Sequence, residues 1–427
     1  MIPTYLADQF TATFISRKTK KSSFDGQIIE TVKEVIENIK ANGEAALKQY
    51  TEKFDGGVPE QWIVTDEERK AAWEEVPQDV IESLQKSAAN IRSFHGKQLQ
   101  QSRMMEMTED IVSGQLFRPI ERVGVYVPGG TAVYPSTVLM NTIPAVLAGV
   151  SEIVMTTPAR NGGAISPILS VAADIAGVHT IYKMGGSQAI ATLAYGIEGI
   201  DPVDKIVGPG NAYVACAKSL VFGDVGIDMI AGPSEVAIIA DETANPRFIA
   251  ADLLAQAEHD QKARPFLFST SEKILKETKE ELKKQCDTLP RKEIAEVALT
   301  SEGAAVLVES LDEAFRLVNA LAPEHLELQV ADPLAQLSKV KNAGSVFIGH
   351  YTPESVGDYF AGPNHVLPTA GTARFSSGLS VDDFVKKTTY VYYSEQALRN
   401  AAPYIERIAT EEQLAGHARA VKVRMEQ

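Results

Sequence analysis

Glu324 and His325 stand side by side after Pro323 in the segment Ala322-Pro-Glu-His-Leu-Glu327. An imidazole that titrates near neutrality beside a carboxylate suits base chemistry divided between two steps. The Pro-Glu pair is also an ordinary helix start, with the acid at the positive end of the dipole. Upstream, the segment from Ala251 to Asp260 has helical propensity, and Gln256 and His259 fall on one face of it. A metal ion can take one donor from each; a solvated helix end is the plain alternative. Asp358 lies in the Gly-, Pro- and Asp-rich stretch from Tyr351 to Asn364, behind an apolar strand. A carboxylate at the C-terminal end of a strand is placed for a ligand, and Asp is equally an ordinary turn residue. His350 and His365 flank this loop and read as spectators, because their spacing pairs them with neither Gln256 nor His259.

Three glycine turns follow β-type runs: Pro128-Gly129-Gly130, Gly185-Gly186-Ser187-Gln188 and Gly208-Pro209-Gly210-Asn211. Residues without a Cβ let backbone N–H groups approach a pyrophosphate near a helix start. None completes G-x-G-x-x-G, since Tyr213 stands where the third glycine would follow Gly208 and Gly210. Each is also readable as a tight strand-to-helix connection. Cys216, in the predicted helix Ala212 to Val221, would serve a thiol-dependent aldehyde dehydrogenase or simply pack as a small buried residue.

The elements that position these groups alternate. From Phe24 to about Gln101, apolar residues at helical spacing (Ile28, Ile29, Val32, Val35, Ile36, Ile39) predict helices, with a stop at Asn42-Gly43. Strands are predicted at Val123–Val127, Glu152–Thr156, Val178–Lys183, Lys205–Val207, Val236–Ala240, Pro265–Ser269, Ala304–Val308 and Ser345–Ile348. Between them lie helical stretches such as Val138 to Val150, Pro246 to Ala257 and Leu311 to Asn319. The pattern predicts an α/β protein with mainly parallel, doubly wound sheets in two units. After Thr372 come a loop, a strand near Thr388 to Tyr393 and helices too poor in apolar residues for a core of their own.

Composition narrows the function classes. A formal charge of −15 over 427 residues, with no strong Lys/Arg cluster, argues against nucleic acid and anionic membranes. Hydrophobic residues at 44% and charged residues at 23% describe a folded chain. Two cysteines, Cys216 and Cys286, are too few for a disulfide framework and suggest a reducing compartment. The start MIPTYLADQF lacks a signal-peptide pattern and no run is apolar enough to span a membrane, so the cytoplasm is expected.

Five segments in order resemble the histidinol dehydrogenase family: Gly208-Pro-Gly-Asn211, Ala231-Gly-Pro-Ser-Glu235, Leu254-Ala-Gln-Ala-Glu-His-Asp260, Ala322-Pro-Glu-His-Leu326 and Ala361-Gly-Pro-Asn-His365. The resemblance implies oxidation of L-histidinol to L-histidine through the aldehyde, with two NAD and one water. It implies one zinc per subunit on Gln256, His259, Asp358 and His417, fixing the substrate's imidazole and amino nitrogens. His325 would be the general base and Glu324 the activator of water; Ser234, Glu412 and the zinc ligands would touch substrate, and Tyr126, Gln188 and Asn211 would touch NAD. Two incomplete Rossmann-like domains are implied, one from 21–123 and 235–372, the other (the NAD side) from 124–234. A segment at 1–20 would pack with a dimerising tail at 373–427, which delivers His417 and Glu412 to the neighbouring subunit of a homodimer. The rival classes are the Cys216 thiol enzyme, a zinc hydrolase with Glu324 as base, and a binding protein that forms no NADH.

Overall fold

The computed structural model describes residues 2–15, 24–129 and 133–426, so Gly130 of the first glycine turn lies outside the described residues. Two parallel sheets and a small antiparallel one carry the fold. The first parallel sheet has five strands in the order Thr180–Tyr182, Glu152–Thr156, Arg122–Tyr126, Lys205–Val207 and Gly226–Ile227. The chain winds outward from Arg122–Tyr126 and then reverses to Lys205–Val207. This reversal opens a crevice beyond the carboxyl ends of the two strands, where the turns after Val127 and Val207 lie. The second has six strands in the order Thr4–Leu6, Ala304–Leu307, Arg264–Ser269, Glu235–Ala240, His325–Gln329 and Ser345–Ile348. Its members are short and mostly buried on both faces, as strands covered by crossover helices must be.

Asn42-Gly43 breaks the helix as the sequence indicates: within Gly26–Asp55, Gly43 adopts the non-helical φ 52°, ψ −125°, and the helices on either side meet there at a kink. Val32, Val35, Ile36 and Ile39 before the kink and Leu47 and Tyr50 after it share one apolar cluster. Three departures from the sequence reading have physical causes.

The region 21–123 was expected in the same domain as 235–372. Its helices instead sandwich the five-stranded sheet, Gly26–Asp55 on Gly186–Tyr195 and Ala212–Val221, and Asp66–Glu75 and Gln78–His95 on Pro135–Ala148 and Pro167–Ala176. Their apolar faces fill the two clusters that bury that sheet.

At the amino end, Thr4–Leu6 pairs in parallel with Ala304–Leu307 as an edge strand, and Phe10 packs on Phe266 and Phe268. Within one chain this segment thus belongs to the six-stranded sheet and not to the tail.

Finally, Pro323-Glu324 starts no helix; His325–Gln329 is a strand between Glu235–Ala240 and Ser345–Ile348.

The tail strand Val385–Tyr393 pairs antiparallel with Ile111–Pro119, which also pairs Arg103–Met107. The helices Glu395–Glu411 and Ala415–Lys422 bury only Ala397, Ala402 and Ala409, while Val391, Tyr392, Tyr404 and Ile408 stay exposed. Among the described residues, no helix is long and apolar enough to cross a membrane.

Candidate active site

A cavity of about 390 Å³ lies between the two parallel sheets, lined among others by Asn211, Ser234, His259, Glu324, His325, Asp358 and His365. From the five-stranded sheet come turns beyond carboxyl ends; from the six-stranded sheet come residues at the amino ends of strands. Ser234 immediately precedes Glu235–Ala240, and Glu324 and His325 sit at the start of the adjacent strand. Asp358 is not at a strand end, as the sequence suggested, but on the short helix Glu354–Tyr359 that follows Ser345–Ile348.

His325 is the centre of the constellation. Its Nδ1 lies 3.1 Å from the carbonyl oxygen of Glu235, which can only accept, so the proton sits on Nδ1 in the neutral ring. Nε2 is buried without a hydrogen-bond partner, 3.7 Å from Oδ1 of Asp358. Glu324 and Glu354 place carboxylate oxygens 3.8 and 3.7 Å from Nδ1. Burial alone would lower the imidazole's pKa, but the carboxylates of Glu324, Asp358 and Glu354 raise it to about 10. Burial pushes the Glu324 carboxyl up to about 7 and that of Glu354 to about 8. Glu324 is held by the backbone N–H of Glu235, which donates to Oε2 at 3.0 Å. The backbone of one residue, Glu235, thus fixes both residues of the Glu-His pair.

Gln256 is buried at the end of the helix Pro246–Ala257, with its Oε1 unpartnered. His259 follows in the turn, its N–H donating to the Gln256 carbonyl at 3.3 Å. Burial lowers the His259 pKa and keeps the ring neutral, whereas His325 holds the Asp358 carboxyl below its ordinary range against the effect of burial. A neutral imidazole, an ionised carboxylate and an unsatisfied amide oxygen are the donor types a borderline ion such as zinc accepts. Among the described residues, however, no three His, Cys, Asp or Glu gather closely enough within this chain to hold a metal. Glu412 and His417 are exposed in the tail and do not line the cavity.

A second cavity, of about 590 Å³, adjoins the first through Pro128 and Asn211 and is lined by Tyr126, Gln188, Asn211, Asp55 and Phe54. Two glycines, Gly186 on its wall and Gly208 on that of the first cavity, are obligatory. Gly186, at φ 63°, donates its N–H to Tyr126 Oη at 3.1 Å, and a Cβ on Gly208, at φ 111°, would lie 2.1 Å from the Tyr126 carbonyl. Asn211 caps the helix Ala212–Val221. Gln188 Oε1 is buried without a partner, a free acceptor for a polar ligand.

The family model described as histidinol dehydrogenase matches residues 17–425. The chain belongs to the histidinol dehydrogenase family. It is 53% identical to the histidinol dehydrogenase of Clostridium acetobutylicum over 96% of this chain and 95% of that one. With the enzyme of Lactococcus lactis the identity is 48%, over 98% and 97%. The crystal structure of histidinol dehydrogenase from Elizabethkingia anophelis superposes with a TM-score of 0.94 at 41% identity, covering 100% of this chain and 98% of that one. The chain is therefore an oxidoreductase of this family.

Sequence reasoning passed over two groups in the site. His365, read as a spectator, lines the first cavity with Nδ1 3.1 Å from the Asp358 carbonyl. Its place in the segment Ala361-Gly-Pro-Asn-His365 was the available signal. Glu354, buried beside His325, had none, because an isolated glutamate in a loop reads as a solvated one. Cys216 packs in an apolar cluster and burial raises its thiol pKa, which disqualifies it as a nucleophile.

Proposed function

We propose that this chain oxidises L-histidinol to L-histidine through L-histidinal, with two NAD and one water, in the last steps of histidine biosynthesis in the cytoplasm. The observation that carries the reading is His325, its Nδ1 facing the Glu235 carbonyl and its Nε2 without a hydrogen-bond partner, beside Glu324 in a cavity that joins the Tyr126–Gln188–Asn211 pocket.

His325 Nε2 takes the hydroxyl proton as the carbinol hydrogen leaves with its electron pair, giving the aldehyde. Tyr126, Gln188 and Asn211 would hold NAD, which would supply the acceptor for that hydride. Glu324 then removes a proton from water as its oxygen adds to the aldehyde carbon. His325 returns its proton to the former carbonyl oxygen to complete the hydrate, which then loses a hydroxyl proton to His325 and a second hydride to leave the carboxylic acid, whose ionisation gives the carboxylate. Zinc, when bound by Gln256, His259, Asp358 and His417 of the partner subunit, supplies positive charge that anchors the substrate's nitrogens and offsets the crowded carboxylates around His325. Ser234 and the partner's Glu412 hold the rest of the substrate.

The exposed position of His417 in a tail without a core favours a homodimer whose sites are shared. Treatment with a chelator should abolish NADH formation from histidinol, and zinc should restore it. Full turnover by rigorously metal-free protein would overturn the zinc assignment, and no NADH from metal-replete protein would overturn the activity.

A further inference from the structure

The second cavity carries a feature that neither hydride transfer nor zinc binding uses. Asp55, the last residue of the helix Gly26–Asp55, enters it from outside the five-stranded sheet and is the only carboxylate among the described residues on its wall. Neither Lys nor Arg is among the described residues that line it. The Asp55 carboxylate accepts from the Gly185 backbone N–H and from Gln188 Nε2, the latter at 3.2 Å. A carboxylate has roughly four acceptor sites, so these two bonds leave capacity for a ligand donor. Burial raises its pKa to about 6, which leaves it largely ionised at neutral pH.

The same contacts bear on which part of a dinucleotide can lie there. The Gly185 N–H is committed to Asp55 and the Gly186 N–H to Tyr126 Oη, so the start of the helix Gly186–Tyr195 already holds an anion. A pyrophosphate is repelled from this turn, in contrast to the Gly-rich turns of standard dinucleotide folds. An uncharged diol is not: its hydroxyls donate to an ionised carboxylate in a strong, short bond.

Resting on the NAD reading above, we propose that Asp55 reads the adenosine ribose of the cosubstrate, accepting from its 2′-hydroxyl and excluding the 2′-phosphate of NADP. A phosphate monoester brings about −1.5 to −2 charges at neutral pH. Placed against Asp55 in a pocket whose described lining holds no cation, it meets repulsion and finds no counter-charge among those residues.

The test is equilibrium binding of NADH, NADPH and 2′-deoxy-NADH to zinc-loaded protein, read by dialysis or nucleotide fluorescence, for the wild type, Asp55→Asn and Asp55→Glu. The wild type should bind NADH at least about tenfold more tightly than either analogue. Asp55→Asn keeps an acceptor for the Gly185 N–H but removes the charge, and should shrink the NADPH-to-NADH ratio of dissociation constants about tenfold or more, while Asp55→Glu keeps it. If Asp55 only braces the helix against the glycine turn, NADH and NADPH weaken together and the ratio stays fixed, which would overturn the proposal. Because 2′-deoxy-NADH probes the unaltered protein, binding equal to that of NADH would overturn it even if both variants misfold. Failure of the wild type to bind any nucleotide would instead remove the NAD reading itself.

Discussion

The backbone of Glu235 holds Glu324 and His325 at once: its N–H donates to Glu324 Oε2 at 3.0 Å and its carbonyl faces His325 Nδ1 at 3.1 Å. Both contacts come from one residue at the start of a strand, next to Ser234 on the cavity wall. The two basic groups are therefore set relative to each other by the amino ends of two adjacent interior strands of the six-stranded sheet. A rigid mount of this kind keeps a base within reach of its proton without an ordering cost at each turnover.

Replacing Glu324 by Gln should slow oxidation of the aldehyde by about 100-fold or more while affecting alcohol oxidation far less, because only the second half-reaction needs activated water. Single-turnover NADH formation from histidinol and from histidinal separates the two. Equal losses would remove the division of labour.

The pH dependence of that second step follows from the environment of Glu324, whose pKa burial raises to about 7. The base form is the carboxylate, so the single-turnover rate from histidinal should rise with pH through about 7. A rate independent of pH between about 6 and 8 would contradict the assignment.

Beneath the first cavity, Lys218 forms a buried ion pair with Asp228, and its Nζ also donates to the Gly208 carbonyl at 2.8 Å. Asp228 in turn accepts from the Gly208 N–H at 2.8 Å, which ties the pair to the turn that carries Asn211. Lys218→Met strands the Asp228 carboxylate and should cost about 3–5 kcal/mol in denaturant unfolding. Adding Asp228→Asn should recover most of that loss. A double variant no more stable than the single one would show that the pair's charge balance is not what matters.

The shared-site arrangement predicts complementation. His259→Ala and His417→Ala homodimers should both be inactive, yet a heterodimer carrying one of each concentrates both lesions in one site and leaves the other intact. Differently tagged variants, co-expressed and purified as the verified heterodimer, should regain about half the wild-type activity per dimer. A folded, zinc-loaded heterodimer as inactive as its parents would place His417 in its own chain's site or outside both.

Much of the scaffold is legible in the sequence because buried parallel strands and their crossover helices leave short apolar runs between turn residues. Glu152–Thr156, Ser345–Ile348, Ala212–Val221 and Pro246–Ala257 are read to the residue. The strand His325–Gln329 is not, because its buried residues include His325, Glu327 and Gln329, which imitate a solvated segment, and a Pro-Glu start imitates a helix. Glu327 is buried next to Gln329, which bridges it to Asp252. Such polar clusters are defined by long-range contacts, and local patterns carry no trace of them. The helices at 26–95 illustrate the same limit: their amphipathic faces are evident, but which sheet they cover is decided by packing alone. Of the site, the five motif segments brought together Asn211, Ser234, His259, Glu324, His325 and His365 on one cavity wall.

The central claim is a four-electron oxidation carried out at one site, and its most direct test is stoichiometry. Zinc-loaded protein given limiting L-histidinol and excess NAD should produce two NADH for each L-histidine formed, with no histidinal accumulating in solution. One NADH per histidinol with the aldehyde as the final product, or consumption of histidinol without NADH, would contradict it.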